Sequence, residues 1–160
     1  MSDQIAVTVI VASNRAAAGV YDDITGPLIV DKLTGWGFEV TGPVVVPDGE
    51  AVGAAIRAAV DSGARAVLTT GGTGLTPTDL TPEVTRPLLD REIPGLAEAI
   101  RAHGVSQGIP TAVLSRGLAG VRGQALIVNL PGSRGGVKDG LKVLGPVIRH
   151  AIEQIVGSDH

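Results

Sequence analysis

Gly71-Gly72-Thr73-Gly74 and, five residues on, Asp79 form the run in this chain with the clearest chemical option. Glycines at the end of a strand let a large ligand approach the main chain, and their exposed N–H groups suit an anion such as phosphate. Asp79 either closes a turn through its side chain or holds Mg²⁺ against phosphate oxygens, because hard cations take carboxylates. Asp48 carries the same two options, as cap of the helix that opens at Glu50 or as a second carboxylate for the metal. Two carboxylates beside a phosphate-friendly loop suit phosphoryl or nucleotidyl transfer, where positioning and charge neutralisation dominate. Ser13, Ser115 and Ser133 follow apolar runs and read as ligand contacts or caps. Arg15 and Arg116 could pair with an anion or stay solvated.

Two familiar phosphate loops are absent. No lysine lies between Arg65 and Lys138, so there is no G-x-x-x-x-G-K-[ST]. Pro77 stands where a G-x-G-x-x-G fingerprint needs its third glycine. No G-x-S-x-G occurs either, and no histidine keeps pattern with the serines, which leaves no nucleophilic triad.

These residues need a frame, and the chain supplies alternating apolar runs. Ile5 to Ala12 is β-branched and apolar nearly throughout, as in a strand buried on both faces. A helix follows from a cap at Thr25 to about Trp36, then a strand from Phe38 to Val46 whose Gly42-Pro43 marks a bend or an edge. Val52, Ile56 and Val60 lie four apart on the next helix, and Ala64 to Thr70 is the strand that delivers the glycine loop. Thr81-Pro82 opens a short helix disturbed near Pro87, and Pro94 opens another with Leu96 and Ile100 inward. Thr111 to Ser115 reads as a short strand, Gly117 to Gly123 as a loop, and Gln124 to Leu130 as a buried strand. The last helix places Val137, Leu141, Leu144, Ile148, Ile152 and Ile155 on one face, with Pro146 set to kink or divide it. The expected fold is α/β: a three-layer α/β/α sandwich on a mostly parallel sheet, as one domain over residues 1–160. In such a sheet Ser13-Asn14, Asp48, the glycine loop, Ser115-Arg116 and Pro131-Gly132-Ser133 all meet at one edge.

Composition narrows the function classes. Aromatics are reduced to one Trp, one Tyr and one Phe, and net charge is −3 without a basic stripe, which disfavours nucleic acid. The absence of cysteine removes disulfides, thiolate chemistry and Cys-ligated zinc. No apolar run reaches the ~20 residues of a membrane span, and the first residues do not open a signal peptide. A cytoplasmic protein is expected.

The run T-T-G-G-T-G-x(4)-D-x-T-P-E, Thr69 to Glu83, resembles the signature of the molybdopterin adenylyltransferase family, the bacterial Mog/MoaB type and the related domain of gephyrin. Other blocks agree in order: Ser13-x-Arg15 with Gly19-x-Tyr21-x-Asp23-x-Thr25-Gly26, then Val46-Pro47-Asp48, Asp90 to Gly95, Leu114-Ser115-Arg116 and Asn129 to Ser133. The resemblance covers nearly the whole chain and implies the molybdenum cofactor biosynthesis protein fold, commonly a homotrimer. It implies transfer of AMP from Mg-ATP to the molybdopterin phosphate with release of pyrophosphate, and a possible hand-over to a molybdate insertase. On this resemblance Asp48 and Asp79 are the catalytic, Mg²⁺-holding carboxylates. Ser13, Gly71, Gly72, Thr73, Gly74, Ser115, Arg116, Asn129, Pro131, Gly132 and Ser133 bind substrate and nucleotide. The chain departs from the family at Thr78, where arginine is usual, at Gly135, where lysine is frequent, and at Asn14, where aspartate is common. The alternative is a non-catalytic molybdopterin-binding or assembly module. A related nucleotide or pyrophosphate hydrolase of the competence-damage type is a third reading, disfavoured by length.

Overall fold

The computed structural model describes residues 4–20 and 22–157, so Tyr21 of the first block and His160 lie outside it. Strand β1 (Ala6–Ala12) is followed by a single helical turn, α1 (Asn14–Ala17), then α2 (Thr25–Gly35), β2 (Glu39–Val46), α3 (Glu50–Asp61) and β3 (Ala66–Thr70). After the glycine loop come α4 (Thr81–Thr85) with a 3₁₀ turn at Arg86–Leu88, β4 (Arg91–Glu92) and α5 (Pro94–Ser106). A 3₁₀ segment at Pro110–Leu114, β5 (Ala119–Arg122), β6 (Ala125–Leu130) and α6 (Arg134–Ile155) complete the chain.

The strands form one sheet in the order β2-β1-β3-β6-β5-β4. β2, β1, β3 and β6 run parallel, and β5 joins β6 antiparallel. The apolar runs of the central strands are continuous because both faces are covered. Val7, Val9, Leu68, Leu126 and Val128 pack against α2, α5 and α6. Ile10, Val67 and Ile127 point the other way, against α3. The expected three-layer sandwich is what forms. No helix among the described residues is long and apolar enough to cross a membrane.

Local expectations fare unevenly. Gly42-Pro43, a cis peptide bond, lies on β2, which is an edge strand, and the β1–β2 register shifts beside it. The cap position of α2 is Ile24 and not Thr25, which lies inside the helix; the Gly26 N–H of the first turn is satisfied by Asp23 Oδ1 at 3.0 Å. The expected strand at 111–115 is a 3₁₀ turn, and the expected loop at 117–123 contains β5. These two corrections share one cause. β6 has a single open edge, and a hairpin with a Gly123 turn (φ +57°) reaches it before any distant segment can. Pro146 does not divide α6, which stays one helix of 22 residues. Its apolar face, buried from Val137 to Ile152, outweighs the one backbone hydrogen bond that proline removes.

Candidate active site

Parallel pairing fixes where the loops go. Thr70 lies beside Val11 on one side and Leu130 on the other, so the chain leaves β1, β3 and β6 at the same level. Gly71 sits so close to β1 that a Cβ there would lie 2.3 Å from the Ala12 carbonyl oxygen. Gly71 and Gly72 have φ of +92° and +69°, a conformation that costs other residues about 1–2 kcal/mol each. The turn brings Gly72, Thr73 and Gly74 to the wall of a cavity. Their main-chain N–H groups make no hydrogen bond to a described residue.

Hydroxyls hold the loop from behind. Thr81, fully buried, donates its Oγ1 hydrogen to the Gly71 carbonyl at 3.0 Å, and its N–H to the Gly72 carbonyl at 3.0 Å. Thr70 Oγ1 donates to the Pro131 carbonyl at 2.7 Å, tying the glycine loop to the Pro131-Gly132-Ser133 turn. The carboxylates stand at the front. A Cβ on Gly72 would lie 3.1 Å from Asp48 Oδ1, and one on Gly74 would lie 2.8 Å from Asp79 Oδ2.

Asp79 does not cap α4; its Oδ2 accepts from the N–H of Thr76, three residues back, at 3.0 Å, and its own N–H donates to the Thr76 carbonyl at 3.0 Å, so the two residues close the loop between them. Asp48 does not cap α3 either, whose cap position is Gly49. Asn14 holds Asp48 in place, its Oδ1 accepting from the Asp48 N–H at 2.9 Å.

Asp48 is half-buried, and burial raises its pKa above the ordinary 3.8. A hydrogen bond from the Asn14 main chain opposes this, and the charge of Asp79 adds to the rise. Because the folded pKa lies above the unfolded one, ionising Asp48 costs folding stability. The penalty is absent below about pH 3.8 and complete above the folded pKa. Asp48→Asn is therefore expected to melt higher than the parent at pH 7, with the gain vanishing as the pH falls toward 3.8. Paired thermal melts at pH 7 and pH 4 check this; a variant less stable at pH 7 would contradict it.

Arg116 is placed differently from its expected role. Its Nε donates to the Gly74 carbonyl at 2.8 Å, Nη2 to the Asp79 carbonyl at 2.8 Å, and Nη1 to Glu83 Oε2 at 2.6 Å. The guanidinium braces the loop that carries Asp79 and is not turned toward the cavity. The hydrogen bond from Arg116 holds the Glu83 carboxyl below its ordinary range. Asn129, buried, also faces inward. Its Oδ1 accepts from Leu118 N–H, and its Nδ2 donates to Thr69 and Thr85 hydroxyls. It binds β6 to β3 and α4, behind the cavity wall. Ser13 and Ser133 accept from Ala16 N–H and Gly136 N–H as caps of α1 and α6, yet both border cavities. Ser115 reaches the cavity beside Thr73, its Oγ 3.3 Å from the Thr73 hydroxyl. Arg101, not signalled by any motif, supports that segment through the Ser115 and Gly117 carbonyls.

Two cavities meet at this ridge. One of about 400 Å³ is bordered by Gly72 to Gly74, Asp79, Ser115 and Gly132. The other, about 320 Å³, is bordered by Ser13, Asp23, Thr70, Gly71, Gly132 and Arg134.

The family model described as "Probable molybdopterin binding domain" matches residues 8–150. The chain belongs to this molybdopterin-binding family. A molybdopterin adenylyltransferase of Pyrococcus furiosus is 39% identical over 91% of this chain and 88% of its own. The structure of the Mog protein from Mycobacterium ulcerans superposes with a TM-score of 0.92 at 49% identity, covering 98% of this chain and 100% of that one. A molybdenum cofactor biosynthesis bifunctional protein of Synechococcus elongatus is 39% identical over 96% of this chain, which spans only 48% of that longer relative.

Proposed function

We propose that this chain transfers AMP from ATP to the terminal phosphate of molybdopterin and releases pyrophosphate. The observation that carries the reading is the pair Asp48 and Asp79, set against a glycine loop with three N–H groups free of described partners. Two cavities on either side of Gly71, Gly72 and Gly132 suit a reaction that joins two substrates. A phosphate oxygen of molybdopterin attacks the α-phosphorus of ATP. The new O–P bond forms as the bond to the bridging oxygen breaks, and that oxygen leaves on pyrophosphate.

The donor set fits Mg²⁺. Both candidate ligands are hard oxygens, and no group of three metal-binding side chains occurs among the described residues. That suits an ion which takes one or two carboxylates and fills its remaining positions from phosphates and water. Held by Asp48 and Asp79, Mg²⁺ would supply charge neutralisation at the phosphates. The chain's own part is to orient: the main-chain N–H groups of Gly72, Thr73 and Gly74 receive phosphate oxygens, and Arg116 keeps the loop rigid beneath them. A homotrimer, a cytoplasmic location and a molybdate insertase as recipient of the product go with this reading.

Incubation with molybdopterin, ATP and Mg²⁺ is expected to yield pyrophosphate and adenylylated molybdopterin in equal amounts. Molybdopterin binding without pyrophosphate would replace the transferase with a binding or assembly module.

A further inference from the structure

The 400 Å³ cavity has two charged side chains in its wall, Asp79 and Asp139. Asp79 belongs to the phosphate loop. Asp139, on α6, lies at the end away from it. It also borders a neighbouring cavity of about 600 Å³ that includes no residue of the glycine loop. The wall of the first cavity also carries the apolar side chains of Ile109, Ala112 and Leu114. The Asp139 side chain is only 16% exposed and makes no hydrogen bond to a described residue. On α5, His103 Nε2 stands 3.9 Å from Asp139 Oδ1, beyond hydrogen-bond distance, and that nitrogen is itself buried without a hydrogen-bond partner. A largely buried carboxylate whose acceptors are unused is costly unless something brings donors to it.

We propose that Asp139 receives the 2-amino-4-oxopyrimidine edge of the pterin ring, a role that rests on the molybdopterin reading above. That edge presents two parallel donors, the exocyclic amine and the ring N3–H. They match the two oxygens of a carboxylate as a guanidinium does. The ring packs on the apolar side chains of the wall, and the phosphate-bearing end reaches the glycine loop and Asp79. Asp139 is thus the specificity-determining residue of the ring subsite.

The test uses the full chain and three probes: molybdopterin, free pterin and lumazine, which carries an oxygen in place of the 2-amino group. Equilibrium binding of molybdopterin is measured first, then its displacement by each free ring. The parent protein is expected to prefer pterin over lumazine by about tenfold, roughly 1.4 kcal/mol. Asp139→Asn keeps the side-chain shape but offers one donor and one acceptor, the pattern of the lumazine edge. It is expected to reverse the preference while ATP affinity stays within twofold. Asp139→Leu should weaken molybdopterin binding at least tenfold, again without loss of ATP affinity. An unchanged pterin-to-lumazine ratio in Asp139→Asn overturns the assignment and leaves the molybdopterin reading intact. So does failure of both rings to displace bound molybdopterin, since a ring subsite must contribute affinity. Failure of the parent chain to bind molybdopterin at all overturns the underlying reading and Asp139's role together.

Discussion

Asp79→Asn is expected to lower the rate of AMP transfer by about 10²–10³-fold, the scale of losing one preorganised electrostatic group at a reacting phosphate. The substitution is conservative toward the fold. An asparagine oxygen still accepts from the Thr76 N–H, and the Asp79 main chain keeps its bonds to Thr76 and to Arg116. What disappears is the charge that would hold Mg²⁺, together with its upward push on the pKa of Asp48. Thermal stability should therefore stay close to the parent's while pyrophosphate release collapses. Steady-state rates with molybdopterin and ATP, beside a melting curve, separate the outcomes. Turnover at the parental rate would leave Asp79 with its turn-closing role alone.

Asn129→Ala should do the reverse and strike stability first. The side chain makes three hydrogen bonds in a buried place, one to a main-chain N–H and two to threonine hydroxyls. Removing it leaves the Leu118 N–H without an acceptor beneath the sheet and opens a small void. Each buried polar group left unsatisfied costs about 1–3 kcal/mol, so a loss of about 2–4 kcal/mol is expected. In a chain of this size that corresponds to a melting temperature lower by roughly 4–16 °C. Ser115 and Gly117 lie at the mouth of the same segment, so molybdopterin affinity should fall as a consequence. If the melting temperature holds and only ligand affinity drops, Asn129 is a direct ligand contact and its inward placement is wrong.

These two variants mark the boundary between sequence and tertiary structure. The sheet was legible because buried parallel strands leave long β-branched runs, as Ile5 to Ala12 and Gln124 to Leu130 do. The glycine loop and both aspartates were legible for a different reason. Sharp strand-to-helix turns demand particular residues at short spacing, and spacing is written in the chain. Partners distant in sequence were not. β5 forms where a glycine-rich stretch suggested a loop, because its hydrogen bonds come from β6 and its own composition does not require them. Arg116 and Asn129 read as ligand contacts beside the motif. Only packing shows that the donors of one brace Gly74, Asp79 and Glu83, and that those of the other reach Thr69 and Thr85. Asp139 carried no signal at all: an acidic residue on a helix resembles any solvated side chain until α5 and the 109–114 segment fold over it. Sequence alone determined which residues could do the chemistry, since chemistry depends on residue type and local turns. Which of them face the substrate and which hold the others in place was decided by tertiary structure, because a side chain's direction depends on neighbours that are remote along the chain.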